Sequence, residues 1–114
     1  MTISFIISDI PPSINALYKR SKLGGLYLNP KAIAFKKLVS DTIATLDVDI
    51  IDKDVKVDIE FTVLKKNCDI DNMLKVMLDS LNKLVYTDDK LVYELNVKKI
   101  VGKMKQTKIT VSIL

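Results

Sequence analysis

The stretch V-K-V-D-I-E-F-T-V-L-K-K-N-C-D-I-D-N-M-L-K-V-M-L-D-S-L, Val55 to Leu81, changes its hydrophobic period partway along, and that change decides the fold. Val55, Val57, Ile59, Phe61 and Val63 alternate with Lys56, Asp58, Glu60 and Thr62. This is the pattern of a strand with one buried face, and it covers Asp54 to Leu64. From Asn72 to Val85 the apolar set Leu74, Met77, Leu78, Leu81 and Val85 recurs at three- and four-residue spacing, which predicts a helix with Asp71 as its N-cap.

Working outward, Thr2 to Ile7 reads as a first strand, closed by the turn D-I-P-P-S at Asp9 to Ser13 because proline cannot continue a ladder. A loop follows as far as Asn29, where Asn29 as N-cap and Pro30 at the first helical position announce a helix. Ala32, Phe35, Leu38, Val39, Thr42, Ile43 and Leu46 give it an apolar stripe. Val92 to Val101 and Lys108 to Ile113 alternate again, and Gly102 to Gln106 between them is short enough for a hairpin loop. The expectation is one α+β domain over residues 1–114, with two layers: a mixed or antiparallel four-stranded sheet carrying two helices.

The chain has 114 residues, of which 48% are hydrophobic and 28% charged, the proportions of a globular domain. No apolar run approaches the roughly 20 residues that cross a bilayer, and Asp9 interrupts any secretory h-region, so a cytoplasmic protein is expected. Cys68 is the only cysteine and histidine is absent. These two facts exclude an internal disulfide, a Cys-rich zinc site, Ser-His-Asp and Cys-His catalysis, and histidine-based nucleases. Carboxylates, lysines or a metal must carry any chemistry.

The net charge of +4 says little, but its distribution says more. No acid occurs between Ile10 and Ser40, where Lys19, Arg20, Lys22, Lys31, Lys36 and Lys37 lie, and none from Val97 onward, where Lys98, Lys99, Lys103, Lys105 and Lys108 lie. Each run is either a solvated face or a surface for a polyanion. With a single arginine, contact with phosphates by lysine fits better than readout of base edges.

The acids gather in the middle. Asp69 and Asp71, two apart, would project to one side in extended backbone and could share a cation, and Asp88 and Asp89 follow the second helix. Such oxygen donors suit Mg²⁺, or Mn²⁺. Lys75 stands one helical turn beyond Asp71, and Asp79 one turn beyond Lys75. A lysine beside a carboxylate–metal cluster can neutralise a phosphoryl transition state. Singly, Asp71 reads equally as a cap, Lys75 as an i,i+4 partner, and Asp88 and Asp89 as turn residues. Jointly, with basic flanks and no histidine, they favour a metal-dependent phosphodiesterase.

The run D-I-D-N-M-L-K-V-M-L-D-S-L-N (Asp69 to Asn82) with V-Y-T-D-D (Val85 to Asp89) resembles the RusA-type Holliday junction resolvases, small endodeoxyribonucleases of bacteria and their prophages. P-P-S-I-N (Pro11 to Asn15) and Y-L-N-P-K-A (Tyr27 to Ala32) resemble the same family's N-terminal half. The resemblance implies a RusA-like fold and a homodimer that nicks two opposed strands of a four-way DNA junction with Mg²⁺ or Mn²⁺, in recombination and repair. It places Asp69, Asp71 and Asp89 on the family's metal-binding catalytic aspartates, Asp88 on their acidic neighbour, and Lys75 on the catalytic lysine. Asn15, Lys19, Arg20, Lys22, Lys36 and Lys37 are the expected DNA contacts. Two positions depart from the family, Lys83 where glycine is frequent and Leu91 where glutamine is. Phe5 on the first strand, or Met73 and Val76 on the second helix, are expected to face solvent and offer a dimer interface. The rival readings are a non-catalytic junction-binding protein and a flap or fork nuclease.

Overall fold

The computed structural model describes residues 1–13, 18–20, 22 and 24–114, and the side chains of these except at 18–20 and 27. Strand β1 (Thr2–Ile7) leads to a short ribbon of β2 (Tyr18–Arg20) and β3 (Leu26–Leu28), which pair antiparallel inside the segment expected to be all loop. Helix α1 (Pro30–Ala44), strand β4 (Val55–Val63), helix α2 (Ile70–Leu81) and strands β5 (Val92–Val101) and β6 (Gln106–Ile113) follow. The large sheet has the order β1-β6-β4-β5, with β4 and β5 parallel and the other two pairings antiparallel. The fold is therefore α+β with a mixed four-stranded sheet, as the hydrophobic periods predict.

The hairpin expected between β5 and β6 does not form, because β4 lies between them. The connection crosses over the end of β4, where Gly102 donates its backbone N–H to Val63 at 2.8 Å. A Cβ on Gly102 would stand 2.6 Å from Thr62 Cγ2, so only glycine allows this close crossing. Parallel strands need a long connection, and α2 supplies it from β4 to β5.

Every odd-numbered residue of β4 is buried against the helices, along with Ile3, Phe5 and Ile7 of β1 and Ile109 and Val111 of β6. From α1 come Ala32, Phe35, Val39 and Ile43; Pro30 opens the helix and the Asn29 side chain accepts from the Lys31 N–H at 3.0 Å. Helix α2 buries Met73, Val76, Met77 and Leu81, while Leu74 and Leu78 are half-exposed. This corrects both the expected apolar stripe and the proposed interface. Met73, Val76 and Phe5 are core residues, so a glutamate at any of them would unfold the chain rather than dissociate a dimer. Apolar residues occupy seven of the twelve positions of α2, too broad an arc for period alone to select a face.

Helix α2 stops where Lys83 takes φ +65°, a left-handed conformation that lacks a penalty only for glycine. The glycine that the resemblance implies at this position would have a backbone cause. Lys83→Gly is expected to raise stability by about 0.5–1 kcal/mol, read as an increased midpoint in urea denaturation.

Candidate active site

The acidic residues fall into two groups at opposite ends of α2. At its N-terminal end Asp69, not Asp71, is the N-cap residue, in extended backbone at φ −84° and ψ 130°. Its side chain caps nothing and instead accepts from Asn72 Nδ2 at 3.2 Å. Asp71 lies already inside the first turn, exposed, so the expected extended D-x-D geometry gives way to a cap residue and a first-turn residue. Both carboxylates stand at the positive end of the helix dipole.

What positions Asp69 is a lysine. Lys99 on β5 reaches across the sheet end and donates to the carbonyls of Lys66 (2.9 Å) and Cys68 (2.6 Å), pinning the β4–α2 loop. The sequence places Lys99 in a basic run, and nothing in that run distinguishes a structural lysine from a DNA contact. Beside the loop lies an open groove of about 760 Å³ between the two helix N-termini, walled by Asp9, Pro11, Asn29, Asp69 and Asn72 with Lys31 and Lys105 at its rim. Thr107 on β6 anchors Asp9 by donating to its carbonyl at 2.8 Å.

At the other end Asp89 opens a 3-10 turn (Asp89–Leu91), with Asp88 capping it by accepting from the Lys90 N–H at 2.9 Å. Ile51 holds this segment by exchanging backbone bonds with Val85 (2.8 Å) and Thr87 (3.0 Å), and Thr87 donates to Asp52 at 2.8 Å. Asp89 is half-buried, and its Oδ1 is closed off from solvent without completing a hydrogen bond. The hydroxyl of the fully buried Tyr86 faces it, also without a bond of good geometry. Burial pushes the Asp89 carboxyl above the usual range; Tyr86 draws it back, and the nearby charges of Asp79 and Asp88 push it further up. Burial and the Asp89 charge raise the Tyr86 phenol in turn.

Asp79 thus joins Asp89, a neighbour that the i,i+4 row of Asp71, Lys75 and Asp79 does not indicate. Asp79 lies eight positions beyond Asp71 on the helix, about 12 Å along the axis. Among the described residues no three acidic or cysteine side chains converge on a point. Lys75 stands between the two groups, exposed, and makes no ion pair; among the described residues that distinction belongs to Lys37 with Asp41, at 3.0 Å. The reading of Lys75 as a mere helix-pair partner therefore loses its contact.

Of the expected DNA contacts, Asn15 lies outside the described residues, and Lys19 and Arg20 are described by backbone alone, on β2. Lys22 is exposed in the β2–β3 turn. Lys36 is half-exposed and Lys37 is paired with Asp41; neither lines the groove, whereas Lys31 and Lys105 do.

Carboxylates and lysines line the groove, and the chain has no histidine. The sequence matches the family profile described as Endodeoxyribonuclease RusA over residues 9–113. The chain belongs to the RusA endodeoxyribonuclease family, whose activity is the hydrolytic cutting of Holliday junction DNA. No individually curated protein matches it. Among the described residues no helix is long and apolar enough to cross a membrane.

Proposed function

We propose that the protein is a Mg²⁺-dependent resolvase that, as a homodimer, nicks opposed strands of a four-way junction in DNA recombination and repair. The observation that carries this reading is the exposed, unpaired Lys75 set on α2 between Asp71 on one side and the Asp79–Asp89 pair on the other. The donor set fits the cation: every ligand is a hard carboxylate oxygen, and the Asp89 Oδ1 is buried, unpaired and beside a second carboxylate. Mg²⁺ binds through one or two carboxylates and leaves its other positions to water and phosphate, so two-carboxylate groups are sufficient. Asp69 with Asp71, and Asp89, would hold it, with Asp88 adjacent; Mn²⁺ suits the same donors. When bound, the cation supplies an activated water and neutralises phosphate charge.

The chain's own residues do the rest. Lys75 places its ammonium where negative charge grows on the scissile phosphate. Lys31 and Lys105 at the groove rim, with the charges on β2 and its turn, hold the flanking backbone. Paired cuts require two catalytic clusters related by a dyad, and one chain supplies one set.

A synthetic four-way junction incubated with and without Mg²⁺ tests the reading: paired symmetric nicks in Mg²⁺ support it. Binding without cleavage would favour the non-catalytic rival, and preferred cutting of flaps or forks would favour the second. Replacing Lys19, Arg20 and Lys22 together by Ala should flatten the dependence of log K on log salt by roughly 2.7 if all three meet phosphates. An unchanged slope would move the DNA to other lysines.

A further inference from the structure

Strand β5 is a free edge of the large sheet, and none of its ten residues is buried. Tyr93 is 68% exposed and Val101 53%, with Leu95 and Ile100 exposed as well. A long edge strand with apolar side chains is a template for another strand unless something covers it. The Gly102 N–H bonds Val63, so from Glu94 onward the even-numbered residues of β5 turn their backbone groups toward β4, and those of Leu95, Val97, Lys99 and Val101 point outward.

We propose that β5 pairs antiparallel with β5 of a second copy, Asn96 lying on the dyad, to join two sheets into one of eight strands. The argument is charge register. Outward groups must meet outward groups, so the two strands can slide only in steps that keep odd residues opposite odd ones. Centring on Asn96 sets Glu94 opposite the second copy's Lys98, and Leu95 opposite its Val97. Within each copy Glu94 already neighbours Lys56, and Lys98 neighbours Glu60, which neighbours Lys108 on β6. The dimer therefore carries an unbroken row of alternating charge across its open face: Lys56, Glu94, then Lys98, Glu60 and Lys108 of the other copy. Centring on Glu94 or Lys98 stacks like charges on the dyad, and centring on Leu95 or Val97 breaks the row. The row selects one register and one occupant, the chain itself.

This interface rests on the homodimer reading above, and the experiment separates the two. Glu94 and Lys98 are exposed, so changing them leaves the fold intact. Glu94→Lys turns two attractive pairs repulsive and should weaken the dimer on the order of tenfold to a hundredfold by analytical ultracentrifugation. Adding Lys98→Glu should recover part of the loss, since it restores the attraction across the dyad while Lys56 and Glu60 within each copy then face like charges. In a Cys68→Ser background, Asn96→Cys should cross-link on oxidation, since a non-hydrogen-bonded antiparallel pair brings Cα atoms to about 4.5 Å, within disulfide reach. A dimer that survives Glu94→Lys and does not cross-link overturns the β5 interface while the paired-nick reading stands. A wild-type chain that stays monomeric even on junction DNA overturns both.

Discussion

Asp71→Asn is expected to cut a four-way junction about 10²- to 10⁴-fold more slowly than the wild type in Mg²⁺, the equivalent of several kcal/mol of lost transition-state stabilisation. The fold should scarcely notice. Asp71 is exposed, makes no hydrogen bond and contributes to α2 only through the helix dipole, which is about 0.3–1 kcal/mol at such a position. Loss of cleavage therefore cannot be loss of structure, and a thermal melt run alongside will show a small shift at most. Binding measured in EDTA should hold or tighten, because a negative charge near phosphate has gone. Lys75→Ala is the companion variant: it is equally exposed and unpaired, so its fold is safe as well, and it should slow cleavage while weakening binding. Wild-type rates from both variants would make the α2 row a solvated helix face and return the protein to the non-catalytic rival.

How far the sequence reaches depends on whether a side chain's neighbours are local. Strand β4 is legible because its pattern and its burial have the same period: Val55 to Val63 alternate without exception, and the odd residues are the buried ones. The start of α1 is legible because Asn29 and Pro30 act within one turn. The placement of β5 is not, since a four-residue connection permits a hairpin but does not require one. What selects the parallel partner is the crossover through α2, a tertiary fact. The buried face of α2 is lost for a related reason: Met73 and Val76 win over Leu74 and Leu78 through contact with the sheet, and residue type does not distinguish them. The site shows the same division. Asp69, Asp71, Lys75 and Asp89 can be singled out by spacing and by resemblance, but the roughly 12 Å of helix between the two acidic ends is invisible until α2 is known to begin at Ile70. Lys99 under the Asp69 loop joins elements 31 residues apart, and Asp79 meets Asp89 only because the chain folds back after α2.

Asp89→Asn should lose cleavage to a similar degree yet make the metal-free protein more stable at neutral pH, an opposition that a purely structural carboxylate would not produce. Burial and the charges of Asp79 and Asp88 hold the Asp89 carboxyl above its usual range, so the folded chain binds its proton more tightly than the unfolded chain does. A group raised in this direction contributes stability that is fully present below the unfolded value and lost as pH rises through the folded one. At pH 7 the ionised Asp89 is thus a cost, with Oδ1 unpaired and a second carboxylate close by. Asparagine carries no charge to repel, so in EDTA the variant should melt higher than the wild type at pH 7, and the gap should close as pH falls below the ordinary carboxylate range. Mg²⁺ reverses the comparison. A cation held by Asp89 relieves the same repulsion and stabilises the folded chain by mass action, so the wild-type melting temperature should climb with Mg²⁺ concentration while that of the variant climbs less. A variant that melts lower than the wild type in EDTA, or that keeps the whole Mg²⁺-induced rise, would show that Asp89 supports the 3-10 turn and holds no metal.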